Sequence, residues 1–216
     1  LWKEIGYQDN LLDTAEIFHL WVIEGHHEDE LPFNKAGYNI VWTDNVKPYK
    51  KRKVRVLNGS HTNLVPIALM LGAVTVYDCM VDEKLSVFVE NTLKDEIIPY
   101  VSNDIAATTT FANSVKDRFM NPFLNHQLVS ISLNSISKWR ARVLPSFKDY
   151  YAEHGEVAPN LTVGFSYLMV LYSSIQKQGD TYIVQVPKRE IEIKDDLPYV
   201  EYFANGNSIV EFMANE

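Results

Sequence analysis

Apolar residues along this chain change their spacing near residue 45. Before that point two short runs, residues 17–23 (IFHLWVI) and 38–42 (YNIVW), are rich in aromatic and β-branched residues and bounded by polar or glycine-containing stretches, which predicts two strands. Two strands do not make an independently stable sheet, so they are expected to extend a sheet belonging to chain outside this sequence. From Val54 onward the spacing is helical: Leu57, Leu64, Ile67, Ala68 and Leu71 recur mainly at three- and four-residue steps. A second helix is expected over residues 82–100, where Leu85, Val89, Leu93 and Ile97 repeat every fourth residue, Glu83, Glu90, Lys94 and Glu96 occupy other faces, and Pro99 marks the end. Asn121 and Pro122 open a further segment, with Leu124, Leu128, Ile131, Leu133 and Ile136 on one face, running to Arg142 before Pro145. Residues 161–175 read as another apolar helix and residues 181–186 alternate like a strand. The acidic tail beyond Glu190 is expected to form a short helix near residues 200–203. The pattern thus predicts a short mixed leading region, residues 1–45, and a mainly α-helical body, residues 46–216.

Composition narrows the class. With 216 residues, 46% hydrophobic and 22% charged, the chain can bury one sizeable core. A net charge of −8 argues against a general attraction to nucleic acid or anionic membranes, while leaving room for a local basic pocket. The longest apolar-rich run, residues 64–77, is interrupted by Pro66 and Gly72 and is shorter than the roughly 20 residues that span a bilayer. The single Cys79 excludes an internal disulfide, reads as a small core residue and fits a reducing, cytoplasmic setting. The chain begins LWKEIGYQDN, with neither a basic nor an apolar leader pattern, and is expected to be a piece of a longer protein. His26 and His27 crowd beside Glu28, Asp29 and Glu30 without the spacing of a zinc site, so no metal is expected. His19 and His154 read as packing or surface residues, and Asp82 and Glu83 as a helix start.

The segment DNVKPYKKRKVRVLNGSH, residues 44–61, carries the candidate chemistry. Lys53, Asn58 and His61 stand as K-x4-N-x2-H. On an α-helix they lie at about 140° and 80° from the first, on one broad face, with a rise of about 12 Å over eight residues. Such a trio suits hydride transfer at a secondary alcohol. A lysine can exchange the hydroxyl proton if its pKa falls from about 10.4, through desolvation or nearby positive charge, and Lys50, Lys51, Arg52 and Arg55 supply such charge. Asn58 can donate to the oxygen where charge develops, and a neutral His61 can orient the hydroxyl. Spacing alone equally fits a solvated basic run before a helix.

This segment, in which Pro48-Tyr49 precedes the K-x4-N-x2-H, resembles the signature of the polyol-specific long-chain dehydrogenases, the mannitol dehydrogenase family. IEGHHEDELPFNKAGYNIVWTD, the DRFMNPF of residues 117–123 and the SISKWRARVLPS of residues 135–146 resemble its tagaturonate reductase branch. The resemblance covers most of residues 10–170. It implies a helical C-terminal domain of the 6-phosphogluconate-dehydrogenase type closing over the protein's own N-terminal Rossmann domain. It further implies NAD as cofactor, Lys53 as general acid/base, and Asn58 and His61 as oxygen-binding groups. Two departures stand out. The nine glycines never fall in the G-x-G-x-x-G spacing that cradles a dinucleotide, and the family's second asparagine, from the cofactor side, has no counterpart here. The isolated chain is therefore expected to bind NAD poorly and to be inactive.

A keto-uronate or aldonate substrate brings a carboxylate that needs a cationic partner. Lys138, Arg140 and Arg142 have the chemistry for it. Lys138 is the first choice, because it sits where mannitol-type relatives carry a basic contact. At the position about eight residues earlier, where they can place an arginine, this chain has Ser130, and His126 is the candidate substitute. For Arg140 and Arg142 the alternative is solvent exposure or pairing with acidic groups. Three readings follow: an NAD-dependent enzyme of hexuronate metabolism interconverting tagaturonate and altronate; the same enzyme class acting on fructuronate or a neutral ketose; or a helical interaction domain without catalysis.

Overall fold

The computed structural model describes residues 1–13, 16 and 18–214. They divide into two compact units, Leu1–Tyr49 and Lys50–Glu216. In the first, a short helix α1 (Trp2–Ile5) precedes strands β1 (Trp21–Glu24) and β2 (Ile40–Thr43). Position 17 of the first expected strand lies outside the described residues; β1 takes up only the end of that run, residues 18–20 not being in it, and β2 begins two residues later than expected. They pair in parallel, Trp21 opposite Ile40 through Glu24 opposite Thr43. Parallel pairing needs a crossover rather than a hairpin, and a 3-10 turn at Phe33–Ala36 lies within it. His19 fastens the start of β2: its Nε2 accepts the Asn39 N–H at 2.9 Å and its carbonyl accepts from Asn39 Nδ2 at 3.0 Å.

The chain passes into the second unit through α2 (Lys47–Arg52) and a π-helical stretch, Lys53–Gly59, that runs into α3 (Ser60–Met70). Then follow α4 (Val76–Val81), α5 (Glu83–Asn91), α6 (Ile105–Phe119), α7 (Leu128–Ile131), α8 (Ser135–Arg142), α9 (Leu144–His154) and α10 (Pro159–Ser173). An antiparallel meander of β3 (Gln176–Gln178), β4 (Thr181–Val186) and β5 (Arg189–Glu192) leads to α11 (Leu197–Ala204) and α12 (Ile209–Ala214). The second unit is thus the mainly helical body expected.

Helix α3 is the axis of this unit, buried from Ser60 to Leu69 and continuous through Pro66. Its principal neighbour is α10, and Gly164 shows why they approach closely: a Cβ there would lie 2.0 Å from Asn63 Oδ1 and 2.7 Å from the Asn63 carbonyl oxygen. Leu71, expected on the apolar face, is 58% exposed because the helix ends at Met70 and the chain turns at Gly72, φ 85°.

The helix expected over residues 82–100 changes gauge. After α5 it becomes π-helical at Thr92–Ile97 and 3-10 at Ile98–Tyr100. A four-residue repeat overshoots an α-helical turn by about 40° at each step, and the wider π turn takes up that drift. Leu85, Val89, Leu93 and Ile97 all stay buried, each at or below 5% exposure.

The expected segment from Asn121 to Arg142 is two helices, not one. Asn134 adopts the left-handed conformation, φ 52°, and breaks it between α7 and α8, leaving Leu133 exposed; Leu124 is exposed too, in the stretch before α7. Pro145 does not simply terminate the segment: it stands in the first turn of α9, where a missing N–H costs nothing. Helix α6, which the apolar spacing left unassigned, is held by Asp104, whose carboxylate accepts the Ala107 N–H at 2.9 Å. Its Thr108, Thr109 and Thr110 hydroxyls bond back to the carbonyls four residues earlier.

Candidate active site

The π-helical stretch Lys53–Gly59 corrects the α-helical geometry expected for the candidate trio. Its i→i+5 bonding brings residues five apart close to the same face, as i→i+4 does for residues four apart in an α-helix. Lys53 and Asn58 are so related, and His61, three residues on at the start of α3, adjoins Asn58. The spacing K-x4-N-x2-H is that of neighbours when the first step crosses a π turn. Gly59 keeps this turn against α8, since a Cβ there would meet the Arg142 carbonyl oxygen at 3.0 Å.

Burial grades the three. Lys53 is exposed, Asn58 is half-buried with its Oδ1 enclosed, and His61 is 6% exposed. Asn58 Oδ1 and His61 Nε2 are both buried without a hydrogen-bond partner. Leaving a buried polar atom unpaired costs about 1–3 kcal/mol, and two such atoms within one turn mark a place built for a partner from elsewhere.

The His61 ring is clamped. Phe119, the last residue of α6, stacks on it with centroids 3.9 Å apart and planes 12° from parallel, and His126 meets it edge-on at 5.3 Å. Burial, then the charges of His126, Arg118 and Arg142, push its pKa down to about 3, so the imidazole is neutral across the physiological range. The unfolded value is near 6.5. The contribution to stability is therefore complete above pH 6.5 and is lost as pH falls towards 3, because the unfolded chain takes the proton first. Urea denaturation from pH 7.5 to 4 is expected to show a decline that His61→Gln flattens by a few kcal/mol over that window; an unchanged slope in the variant contradicts this.

Of the three candidate cations on α8, Arg142 reaches this site and Lys138 shares its side of the helix. Arg142 Nη1 reaches Thr62 Oγ1, beside His61, at 3.5 Å, and Lys138 Nζ donates to the Ile131 carbonyl at 2.9 Å. They are one helical turn apart. Burial lowers the pKa of both; for Lys138 the neighbouring Arg142 lowers it further and Asp195 opposes the shift.

Arg140, two residues from each, is on the other side of the helix. Its Nη1 donates to the Tyr199 hydroxyl at 2.6 Å and its guanidinium lies 5.1 Å over that ring. It lines an apolar cavity of about 410 Å³ with Trp139, Phe165 and Phe212. Residues i and i+2 of a helix point about 200° apart, so Arg140 and Arg142 cannot both face His61. His126 does reach His61, and Ser130 is exposed.

Phe119, Arg118 and Asp195 were absent from the sequence-derived candidates. The first two lie in the DRFMNPF segment. The remaining histidines are committed elsewhere: His26 bonds Asp44 at 2.8 Å, His27 approaches Glu30 at 3.4 Å, and His154 Nε2 lies 2.8 Å from the Tyr100 hydroxyl. Burial raises the Cys79 thiol to about 12, which keeps it an unreactive core residue.

Residues 45–202, holding every candidate catalytic and substrate-binding residue, match the Mannitol dehydrogenase C-terminal domain. The chain belongs to the mannitol dehydrogenase C-terminal domain family. Among similar proteins, an altronate oxidoreductase of Yersinia enterocolitica is 43% identical over 187 residues, covering 86% of this chain and 38% of the relative. One from Pectobacterium carotovorum is 41% identical, covering 94% and 41%, and one from Halalkalibacterium halodurans is 38% identical, covering 94% and 40%. The chain thus spans about two fifths of the curated relatives it matches. Among solved structures, a D-sorbitol dehydrogenase in substrate-free form aligns with TM-score 0.75 and 22% identity, over 92% of this chain and 39% of that one. Pseudomonas fluorescens mannitol 2-dehydrogenase, in a ternary complex with NAD and D-mannitol, aligns with TM-score 0.65 and 20% identity, over 87% and 36%. These two share the fold of this mannitol dehydrogenase C-terminal domain. Among the described residues, no helix is long and apolar enough to cross a membrane.

Proposed function

We propose that the full-length protein is a cytoplasmic, metal-independent NAD-linked oxidoreductase that interconverts tagaturonate and altronate, and that this chain is its substrate-binding and catalytic half. The observation that carries the reading is the neutral, clamped His61, whose buried and unpartnered Nε2 lies beside the unpartnered Asn58 oxygen and among cations. The name shared by the relatives supports the altronate assignment.

In this reading Lys53 holds the proton. During reduction its ammonium gives that proton to the substrate oxygen as negative charge develops there, and in the reverse direction the amine removes it. Asn58 and His61 hold that oxygen, an amide and a neutral imidazole each offering a donor and an acceptor. Lys138 and Arg142 take the carboxylate, Arg142 as a planar fork and Lys138 as a point charge, with His126 at the edge of the site. Arg140, bonded to Tyr199, is left out of the reacting group. The glycines of this chain form no G-x-G-x-x-G cradle, so no contact with the dinucleotide is assigned to it. NAD belongs to the N-terminal Rossmann half, whose sheet β1 and β2 extend, and when bound it supplies or accepts the hydride.

The test is NADH oxidation by the full-length protein with tagaturonate, fructuronate and fructose in parallel. Turnover of tagaturonate well above the others is expected. Preference for fructose would move the protein to the neutral-ketose reading, and no turnover of any would favour the non-catalytic one.

A further inference from the structure

Helix α8 carries Lys138 and Arg142, yet its N-cap residue supplies no side-chain cap. Asn134, its N-cap, is left-handed and makes no side-chain capping bond, although the first N–H groups of a helix need acceptors. The acceptor comes from the connector that follows β5. Asp195 Oδ2 accepts the Ile136 N–H at 3.1 Å and also the hydroxyl of Tyr172, which is 1% exposed on α10. Asp195 Oδ1 accepts the Asp196 N–H at 2.8 Å, and the adjoining Lys194 carbonyl accepts the Asn134 N–H at 2.9 Å. One carboxylate therefore fastens the first turn of α8 to the central helix pair. Its charge also lies at the positive end of the α8 dipole.

Four residues after Asn134, Lys138 donates one N–H to the Ile131 carbonyl, leaving two for a ligand. The charged groups acting on it are Arg142, one turn along the same helix, and Asp195 on the connector. Burial and Arg142 lower its pKa, and Asp195 opposes them in favour of the ammonium that an anion needs. Tyr172 behind Asp195 does not compete for that role: burial and Asp195 raise its pKa, so it stays a hydroxyl donor.

We infer that Asp195 is a positioning residue of the site: its carboxylate sets the first turn of α8, the helix that carries Lys138 and Arg142, and brings a counter-charge to the lysine proposed to meet the carboxylate of the substrate. This rests on the reading of Lys138 as a carboxylate partner. Two effects oppose each other when the charge is removed, since the pocket as a whole becomes more positive while Lys138 loses its proton more readily. The second is local and pH-dependent, and identifies the role.

The test uses the full-length protein with Asp195→Asn, Asp195→Glu and Tyr172→Phe. The Lys138 titration is followed by NMR of 13C-methylated lysines, assigned with Lys138→Arg, alongside KM and kcat for tagaturonate from pH 7 to 10. Asp195→Asn is expected to move the Lys138 midpoint downward and to start the alkaline rise of KM at a lower pH. At alkaline pH KM then exceeds that of the unsubstituted enzyme, with kcat within about twofold. Tyr172→Phe, which removes the hydroxyl that meets Asp195 and Ser135 and keeps the carboxylate, should lower Tm and leave both profiles in place, and Asp195→Glu should restore the midpoint. A midpoint that stays put in Asp195→Asn, or moves equally in Tyr172→Phe, overturns the inference whatever the substrate. A midpoint that moves in an enzyme indifferent to tagaturonate overturns the uronate reading and leaves the hold of Asp195 on Lys138 standing.

Discussion

Lys53→Ala in the full-length protein is expected to lower kcat by about 10²–10⁴-fold, the usual contribution of a positioned general acid, with KM within about threefold. The separation follows from the placement of the groups. Lys53 stands at the exposed start of the π turn and acts on an oxygen only as its charge changes, whereas binding rests on Asn58, His61 and the α8 cations. Lys53→Arg should be equally impaired, because a guanidinium keeps its charge and does not surrender the proton. Steady-state NADH oxidation at saturating substrate measures both variants. An alanine variant retaining more than a tenth of the activity would remove Lys53 from the chemistry.

Glu96→Ala is expected to destabilise the protein by on the order of 3 kcal/mol or more, read as a lower urea midpoint at unchanged m. Glu96 is 1% exposed, and its carboxylate meets the N-terminus of α10. One oxygen accepts the Asn160 N–H at 2.7 Å and the Asn160 Nδ2 at 2.6 Å; the other accepts the Leu161 N–H at 2.8 Å. Helix α10 begins at Pro159 with no side-chain cap of its own, so its first turn depends on this residue from the π stretch Thr92–Ile97. The effect should reach the site, because the Asn160 carbonyl accepts from Asn63 Nδ2 at 3.1 Å, two residues after His61. Glu96→Gln keeps one acceptor oxygen and sets the amide NH2 against an N–H donor of α10, so an intermediate loss of about 1–2 kcal/mol is expected. Equal midpoints for all three proteins would contradict the capping role.

What the sequence revealed and withheld follows from the reach of each signal. The apolar stripes of α3 and α10 were legible because they bury consecutive turns around a common core, and the K-x4-N-x2-H motif was legible because it is local. Its geometry was not, since an i→i+5 turn is decided by tertiary packing, here Gly59 against the α8 backbone, rather than by propensity. The same holds for Thr92–Ile97, where a four-residue repeat was the only trace of a π turn. Helix α6 escaped the spacing argument because its buried stripe is Thr108, Ala112, Val115 and Phe119, two of them small or polar, and with it went Phe119, the wall of the His61 pocket. Asp195 was out of reach because it lies 59 residues from the backbone N–H it caps. Of the three basic residues in KWRAR, α-helical periodicity separates Arg140 from the other two once α8 is known to be straight and to start at Ser135.

In the proposed function, Lys138 and Arg142 of α8 turn a mannitol-dehydrogenase-type site into one for an acid. The most direct measurement is the ratio of kcat/KM for tagaturonate to that for fructose, in the full-length protein and in Lys138→Ala/Arg142→Ala. A ratio well above one is expected, falling by about 100-fold in the double variant, close to two charge-assisted contacts, with the fructose value little changed. A double variant that loses both activities in equal proportion would contradict it, leaving Lys138 and Arg142 as supports of the fold with no part in reading the substrate.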